Sequence, residues 1–402
     1  MDTSLEQART LFFRGNDHFE AGRLNEAADA YRQALAMAPG RPSVLANLGI
    51  TLSRLGQVAE ALPVLRQATA ADPTHADAWL AQGVCAEAQG LWEEAVHALQ
   101  QGTGLGQAAV GAPVWLSLGH CHGRLGRVAE ALHALQRALA LDPALAEAWS
   151  QRGSLLREQG QLREAAHCFE QALAHGADEA LHRFYLASVR GEAVPHPPAA
   201  YVQTLFDDYA EGFQSHLVQA LRYQAHEVLL APLQASGRRF EHMLDLGCGT
   251  GLCAQRMQGQ VARIDGVDLS PAMVAQARSS GLYRHVQEGD LLPFLMGQTA
   301  PVDLIVAADV FIYVGALDEV LAAARHCMAA GGVFAFSLEQ APAGQDLVLQ
   351  PSLRYAHSSA YIERLAAVHG WQVARLEAAA IREDQQRPVM GWYVHLTPVA
   401  SH

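Results

Sequence analysis

The chain has 402 residues, half of them hydrophobic and 17% charged, with a formal net charge of −13. That length exceeds one ordinary core and predicts two domains, and the composition is globular rather than disordered. A uniformly acidic chain repels phosphate backbones, which argues against a nucleic-acid partner, and because all 28 basic residues are arginine a lysine nucleophile or Schiff base is excluded.

The first residues read as an acidic early helix rather than a signal sequence. No run approaches the ~18 uninterrupted apolar residues of a membrane span, so no membrane partner is expected, and the chain reads as soluble and cytoplasmic. From there the sequence repeats. Gly15, Gly49 and Gly83 are spaced by 34, Gly119 follows after 36 and Gly153 after another 34. Twelve residues beyond each glycine stands an alanine (Ala27, Ala61, Ala95, Ala131, Ala165), and four further a large residue (Tyr31, Leu65, Leu99, Leu135, Phe169). An apolar anchor precedes each glycine by four residues (Leu11, Leu45, Trp79, Trp115, Trp149), and Pro39, Pro73 and Pro143 end three of the units.

This pattern resembles the tetratricopeptide repeat. The resemblance implies five helix pairs, with small residues where two helices touch and large ones filling the gap to the next unit. The third unit lacks the proline and carries two extra residues in Gln101-Gly102-Thr103-Gly104-Leu105-Gly106, where a looser turn is expected. A helix over 178–189, apolar at Leu181, Tyr185 and Leu186, is expected to cap the last repeat, so that the repeat domain spans 1–190. By register the concave face carries Phe12, Asn16, Phe19, Ile50, Leu80, Glu87, His120, Ser154 and Arg157. That mixed surface predicts a peptide or protein partner; docking on the chain's own second domain and self-association into a homo-oligomer are the alternatives. Without lysine, the lysine-and-asparagine clamp for a C-terminal carboxylate used by some such arrays is disfavoured.

Gly191-Glu192-Ala193-Val194-Pro195-His196-Pro197-Pro198 reads as an extended linker over 191–198, because proline removes amide donors and fixes φ. The second domain is then 199–402. Strand-like runs cover 242–246, 263–268, 284–288, 304–307, 333–338, 371–376 and 392–396, with helical stretches such as 271–280 and 317–328 between them. This alternation predicts an α/β fold with a mostly parallel sheet. The last strand has no helix before it and is expected to enter antiparallel.

After the first strand comes Gly247-Cys248-Gly249-Thr250-Gly251. The dinucleotide fingerprint needs a further glycine at 252, where Leu252 stands, so the loop departs from the usual nicotinamide site. Three features point to a nucleoside nonetheless. Asp268 ends the second strand, where a carboxylate can accept both ribose hydroxyls. Ser270-Pro271 opens a helix well, and Met273 falls where it can cover an adenine face. Gly289-Asp290-Leu291 follows the third strand, where Asp290 can accept from the adenine amino group.

Together these motifs resemble the S-adenosylmethionine-dependent methyltransferases with the seven-stranded Rossmann-like sheet, over roughly residues 200 to 402. The whole chain is similar to a bacterial group of predicted methyltransferases carrying tetratricopeptide repeats, whose catalytic domain is related to a vertebrate protein of the Williams–Beuren region. The resemblance implies S-adenosylmethionine as cofactor. Asp245 and the backbone at Gly247 would meet its methionine end. Asp268 would take the ribose, Leu269 and Met273 the adenine, and Asp290 and Leu291 the adenine edge, with Cys248, Gly249, Gly251, Gly289, Ala307 and Ala308 the other residues of the cofactor site. Phe206-Asp207-Asp208-Tyr209-Ala210 and Phe213 resemble a lid helix, with Tyr209 reaching the methionine carboxylate; packing of Phe206, Tyr209 and Phe213 in a core is the alternative.

Methyl transfer is an in-line displacement from an activated donor, so alignment and dehydration matter more than a catalytic dyad. The segment Ala307-Ala308-Asp309-Val310-Phe311-Ile312-Tyr313 is expected to face the acceptor, with Asp309 and Tyr313 as candidates. It lacks the prolines of the enzymes that methylate adenine amines or glutamine amides. His357, in Arg354-Tyr355-Ala356-His357, is the candidate general base; a histidine bonding the backbone at a helix start is the alternative. Arg382-Glu383 with Pro388-Val389 matches a stretch of the same group and reads as a hairpin-like connection. Six cysteines (Cys85, Cys121, Cys168, Cys248, Cys253, Cys327) form no Cys-x-x-Cys pair, and the histidines show no His-Glu-x-x-His spacing, so neither a disulfide nor a metal site is expected.

Overall fold

The computed structural model describes residues 3–106, 110–192, 194–198, 201–202, 205, 224–384 and 387–400. The chain divides into two units, Met1–Ala177 and Asp178–His402.

The first unit consists of five antiparallel helix pairs: α1 (Thr3–Glu20) with α2 (Leu24–Met37), α3 (Pro42–Arg54) with α4 (Val58–Ala71), α5 (Ala76–Ala88) with α6 (Trp92–Gly104), α7 (Ala112–Arg124) with α8 (Val128–Leu141), and α9 (Ala146–Glu158) with α10 (Leu162–Ala174). The repeat glycines are where the paired helices touch. A Cβ added at Gly49 would lie 2.5 Å from Leu65 Cγ, and one at Gly83 the same distance from Leu99 Cγ. Gly15 meets Tyr31, Gly119 meets Leu135 and Gly153 meets Phe169 in the same way. The large residue thus seals the glycine of its own unit, where the sequence pattern placed it in the gap to the next. Successive second helices are tied by Arg32–Glu60 at 2.8 Å and Arg66–Glu94 at 2.5 Å. These pairs set register but, being exposed, contribute little stability.

Two expectations for this unit change. Gln101 to Gly104 continue α6 instead of opening a turn, and Gly102 lets Leu80 Cδ2 approach to 2.5 Å from where a Cβ would stand. Leu80 therefore packs between α5 and α6 and not on the concave face. Asn16 is held by Tyr31 Oη at 2.8 Å and by Asn47 Nδ2 at 2.9 Å, while Glu87 pairs with His120 at 2.8 Å.

The second unit begins with α11 (Glu179–Arg190), capped by Asp178, which accepts from the Leu181 amide, and closed by left-handed Gly191. This is the helix expected to cap the repeats. Its Phe184 and Ala187 are buried with Leu349, Leu353 and Tyr355, so it belongs to the second unit and moves the boundary to 177/178. The proline-rich segment is likewise no free linker. Pro195 O accepts from the Ala316 amide at 2.9 Å, and His196 Nδ1 lies 3.3 Å from Val314 O.

The sheet holds β1 (Phe240–Leu246), β2 (Val261–Asp268), β3 (His285–Glu288), β4 (Val302–Ala307), β5 (Met328–Gln340), β6 (Leu347–Leu349), β7 (Tyr355–His357), β8 (Trp371–Asp384) and β9 (Arg387–Pro398). β3, β2, β1, β4 and β5 run parallel in that spatial order, then β9 pairs antiparallel with β5 and β8 with β9. These are the seven expected strands, the last antiparallel as expected. β6 and β7 are additional, and extend the sheet from the C-terminal end of β5 through Glu339 and Gln340. Phe311, Phe334, Phe336 and Trp371 stack beneath one face, with Phe334 and Phe336 centroids 4.9 Å apart. At roughly 1.5–3 kcal/mol per buried large side chain, this cluster anchors the strands whose ends carry the site.

Candidate functional site

In a parallel sheet the strand ends and the loops that follow form the natural ligand crevice. Here that crevice is a cavity of about 400 Å³ at the C-terminal ends of β1 to β4. The loop after β1 contributes Gly247, Cys248, Gly249 and Thr250. Gly247 and Gly249 have φ of 59° and 51°, which only glycine adopts without strain. A Cβ at Gly247 would lie 2.6 Å from Val310 Cγ2, whereas at Gly249 it would point into open space. A ligand can therefore come directly against the Gly249 backbone.

β2 delivers Asp268, Leu269 and, one helical turn on, Met273. Asp268 Oδ2 accepts from the Gly249 amide at 2.8 Å and Oδ1 from the Ser270 amide at 3.0 Å, so one carboxylate binds the β1 loop to the next helix start. Ser270 caps the helix Pro271–Ser279 by accepting from the Met273 amide. β3 brings Gly289, Asp290 and Leu291 to the wall; Asp290 also caps its helix, accepting from the Leu292 amide at 2.9 Å. β4 brings Ala308, Asp309 and Tyr313.

Four anticipated residues do not reach the cavity wall. Asp245 is 1% exposed and accepts a hydrogen bond from Tyr283 Oη at 2.6 Å. Burial pushes its carboxyl up to about 7; the Tyr283 bond opposes this and the Asp268 charge adds to it. It bonds Tyr283 and is absent from the described cavity wall. Gly251 lies against the Tyr283 ring, and Ala307 is enclosed within β4, paired with Phe336. His357, the expected base, is wholly buried in β7 with Nε2 at 2.6 Å from Gly315 O. The sheet extension swallows it, and burial pulls its imidazole down to about 4, the bond to Gly315 opposing. It is a neutral structural histidine, as the alternative reading had it. Tyr209, with Phe206 and Phe213, lies outside the described residues.

The histidine makes a testable prediction. An unfolded chain protonates His357 near 6.5, the folded one only near 4, so its contribution is complete above pH 6.5 and is lost as pH falls toward 4. The loss is on the order of 3 kcal/mol. His357→Gln keeps a donor for Gly315 O, and the expected result is a shallower acid loss of thermal stability in this unit. Superimposable wild-type and variant profiles would rule the assignment out.

The cavity wall at Asp309 and Tyr313 holds residues that the motifs did not reveal. Arg382 Nη1 reaches both Asp309 oxygens, at 3.2 and 3.3 Å, while Nη2 binds Glu339. Asp309 has φ of 60°, a strained conformation for a non-glycine residue, and its amide donates to Ser337 Oγ at 2.8 Å. Arg354 lines the same wall, its Nε 3.3 Å from Tyr313 Oη. Burial pushes the Tyr313 phenol up, keeping it protonated. His196 and His226 also line the cavity, and burial lowers the His226 imidazole.

Residues 244–334, which carry the loop and the acidic ends of β2 and β3, match the methyltransferase domain family. The second unit carries a methyltransferase domain. The matches in the first unit, at 18–62, 46–109, 112–145 and 146–176, are tetratricopeptide repeats. The chain is 35% identical over 126 residues to a malonyl-(acyl-carrier protein) O-methyltransferase of Geobacter sulfurreducens, covering 30% of this chain and 46% of that one. It is 30% identical over 117 residues to a ubiquinone biosynthesis O-methyltransferase of Pasteurella multocida, covering 26% and 48%. The chain thus spans about half the length of the relatives it matches. A magnesium protoporphyrin IX methyltransferase from Synechocystis superposes with a TM-score of 0.34 at 18% identity, over 44% of this chain and 78% of that one.

The cofactor of the methyltransferase domain is S-adenosylmethionine. The cavity fits it: among the described residues Thr250 Oγ1 is buried without a partner on its wall, the Gly249 backbone is open, and a carboxylate stands at the end of β2. Among the described residues no group of three or more His, Cys, Asp or Glu could hold a metal ion, and no helix is long and apolar enough to cross a membrane. All six cysteines are free and buried.

Proposed function

We propose that this chain methylates, from S-adenosylmethionine, an acceptor recruited by its repeats: a protein, a peptide or a group carried on a protein. When bound, the cofactor supplies a methyl group already activated on sulfur. Asp268 takes the ribose hydroxyls, Met273 and Leu269 cover the adenine, and Asp290 with the Leu291 amide reads its edge. The Gly247 to Thr250 loop receives the methionine end. Asp245, through Tyr283, keeps that loop in place. Asp309 and Tyr313 face the acceptor, Asp309 held by Arg382.

The observation that carries the reading is the union, in one chain, of a cavity built on this loop with five repeats whose mixed face carries Asn16 and the Glu87–His120 pair. The name of the Geobacter relative, an enzyme of a carrier-bound acyl group, supports an acceptor presented on a protein. To test it, cell lysate is incubated with the full chain and methyl-labelled donor. Label in a protein band is the expected result. Label confined to the small-molecule fraction would overturn recruitment, leaving the repeats to self-association. No transfer at all, with no binding of S-adenosylhomocysteine, would overturn the enzymatic reading itself.

A further inference from the structure

We infer that the acceptor presents a carboxylate, that Arg354 holds it, and that the product is a methyl ester; this rests on the methyltransferase reading above. Two arginines meet at the acceptor end, in different states. Arg382 is committed: it bonds Asp309 and Glu339, and its side chain is 2% exposed. Arg354 uses Nε for Tyr313, and among the described residues no acceptor bonds its terminal nitrogens. It remains cationic: burial opposes the charge, but Tyr313, Asp309 and Glu339 outweigh that and raise its pKa. A guanidinium edge on a cavity wall matches the two oxygens of a carboxylate.

Proton chemistry is consistent with the same acceptor. A neutral phenol or amine gives up a proton in the transfer, and the groups beside Arg354 are engaged, while His196 and His226 stand elsewhere on the cavity wall. Asp309 is bound by Arg382, and Tyr313 is held protonated. A carboxylate is already deprotonated at neutral pH. One of its oxygens forms the bond to the methyl carbon as the carbon–sulfur bond breaks and its electron pair returns to sulfur. Carboxylate and sulfonium become neutral ester and thioether, and no proton moves.

The test uses the labelled product of the lysate experiment. Methyl esters release labelled methanol in mild alkali; N-methyl, aryl ether and C-methyl products do not. Volatile label is expected, and alkali-stable label would overturn the inference while leaving methyl transfer intact. A lysate with no label at all fails the earlier reading instead. In that lysate assay, Arg354→Gln should lower the initial rate of labelling by about 10–100-fold, the worth of a charged bidentate contact. Its affinity for S-adenosylhomocysteine should be unchanged, and Arg354→Lys should recover part of the loss. If Arg354→Gln transfers at the wild-type rate, or loses cofactor affinity in proportion, Arg354 does not hold the acceptor.

Discussion

Arg382→Leu is expected to destabilise the methyltransferase domain by about 3–5 kcal/mol, the usual cost of stranding a buried charge. The substitution removes the only cation that bonds both Asp309 and Glu339 among the described residues, and Glu339 is 2% exposed. Burial already pushes the Glu339 carboxyl up, with Arg382 and Arg354 opposing. Without Arg382 that carboxyl rises further, so it is protonated more readily folded than unfolded. The sign follows: the deficit is fullest at neutral pH and narrows as pH falls and the folded carboxyl takes up its proton. Asp309 adds to the loss, because its left-handed backbone is held by Arg382 and Ser337. The unfolding transition of the second unit, followed in urea on the full chain at several pH values, checks this. Adding Glu339→Leu to Arg382→Leu should restore part of the stability, since it removes one stranded charge. A double variant no better than the single one would show that the arginine acts through packing.

What could be read from the sequence was what the chain decides locally. A glycine and the large residue 16 positions on, such as Gly49 and Leu65, lie in one helix pair, so their contact repeats with the sequence period. Gly247 and Gly249 announce themselves because the turn needs positive φ and a close backbone. The misplaced residues depend on distant partners. His357 looked like a helix-start base because the three-residue strands β6 and β7 carry no periodic signal, yet they bury it. Arg382 looked like a hairpin arginine. The β8–β9 register slips between Ala380 and Arg382, so the neighbours Ile381 and Arg382 are both buried, against strict alternation. Such a bulge re-aims a side chain without marking the sequence. Helix α11 shows the same limit, since its apolar face fits either unit and only the placement of Leu349, Leu353 and Tyr355 decides.

Asp268→Ala is expected to lower affinity for S-adenosylhomocysteine by about 10²–10³-fold. Two charge-assisted hydrogen bonds to ribose are worth about 3–4 kcal/mol together, which converts to that range. The carboxylate has a second task that this sum omits: it fixes the Gly249 and Ser270 amides, and with them the loop and the helix that carries Met273. Its removal therefore disorganises the wall as well as deleting a contact. Folding should suffer far less than binding, because the lost bonds lie at the rim of the sheet and not in its core. Asp290→Ala is the matched comparison. Asp290 also caps a helix and lines the cavity, but makes no bond to the β1 loop among the described residues, so its loss should be closer to tenfold. Calorimetric titration of the full chain distinguishes them. Equal losses in the two variants would mean that Asp268 contributes no more than a rim contact, and wild-type affinity in Asp268→Ala would remove the nucleoside from this end of β2.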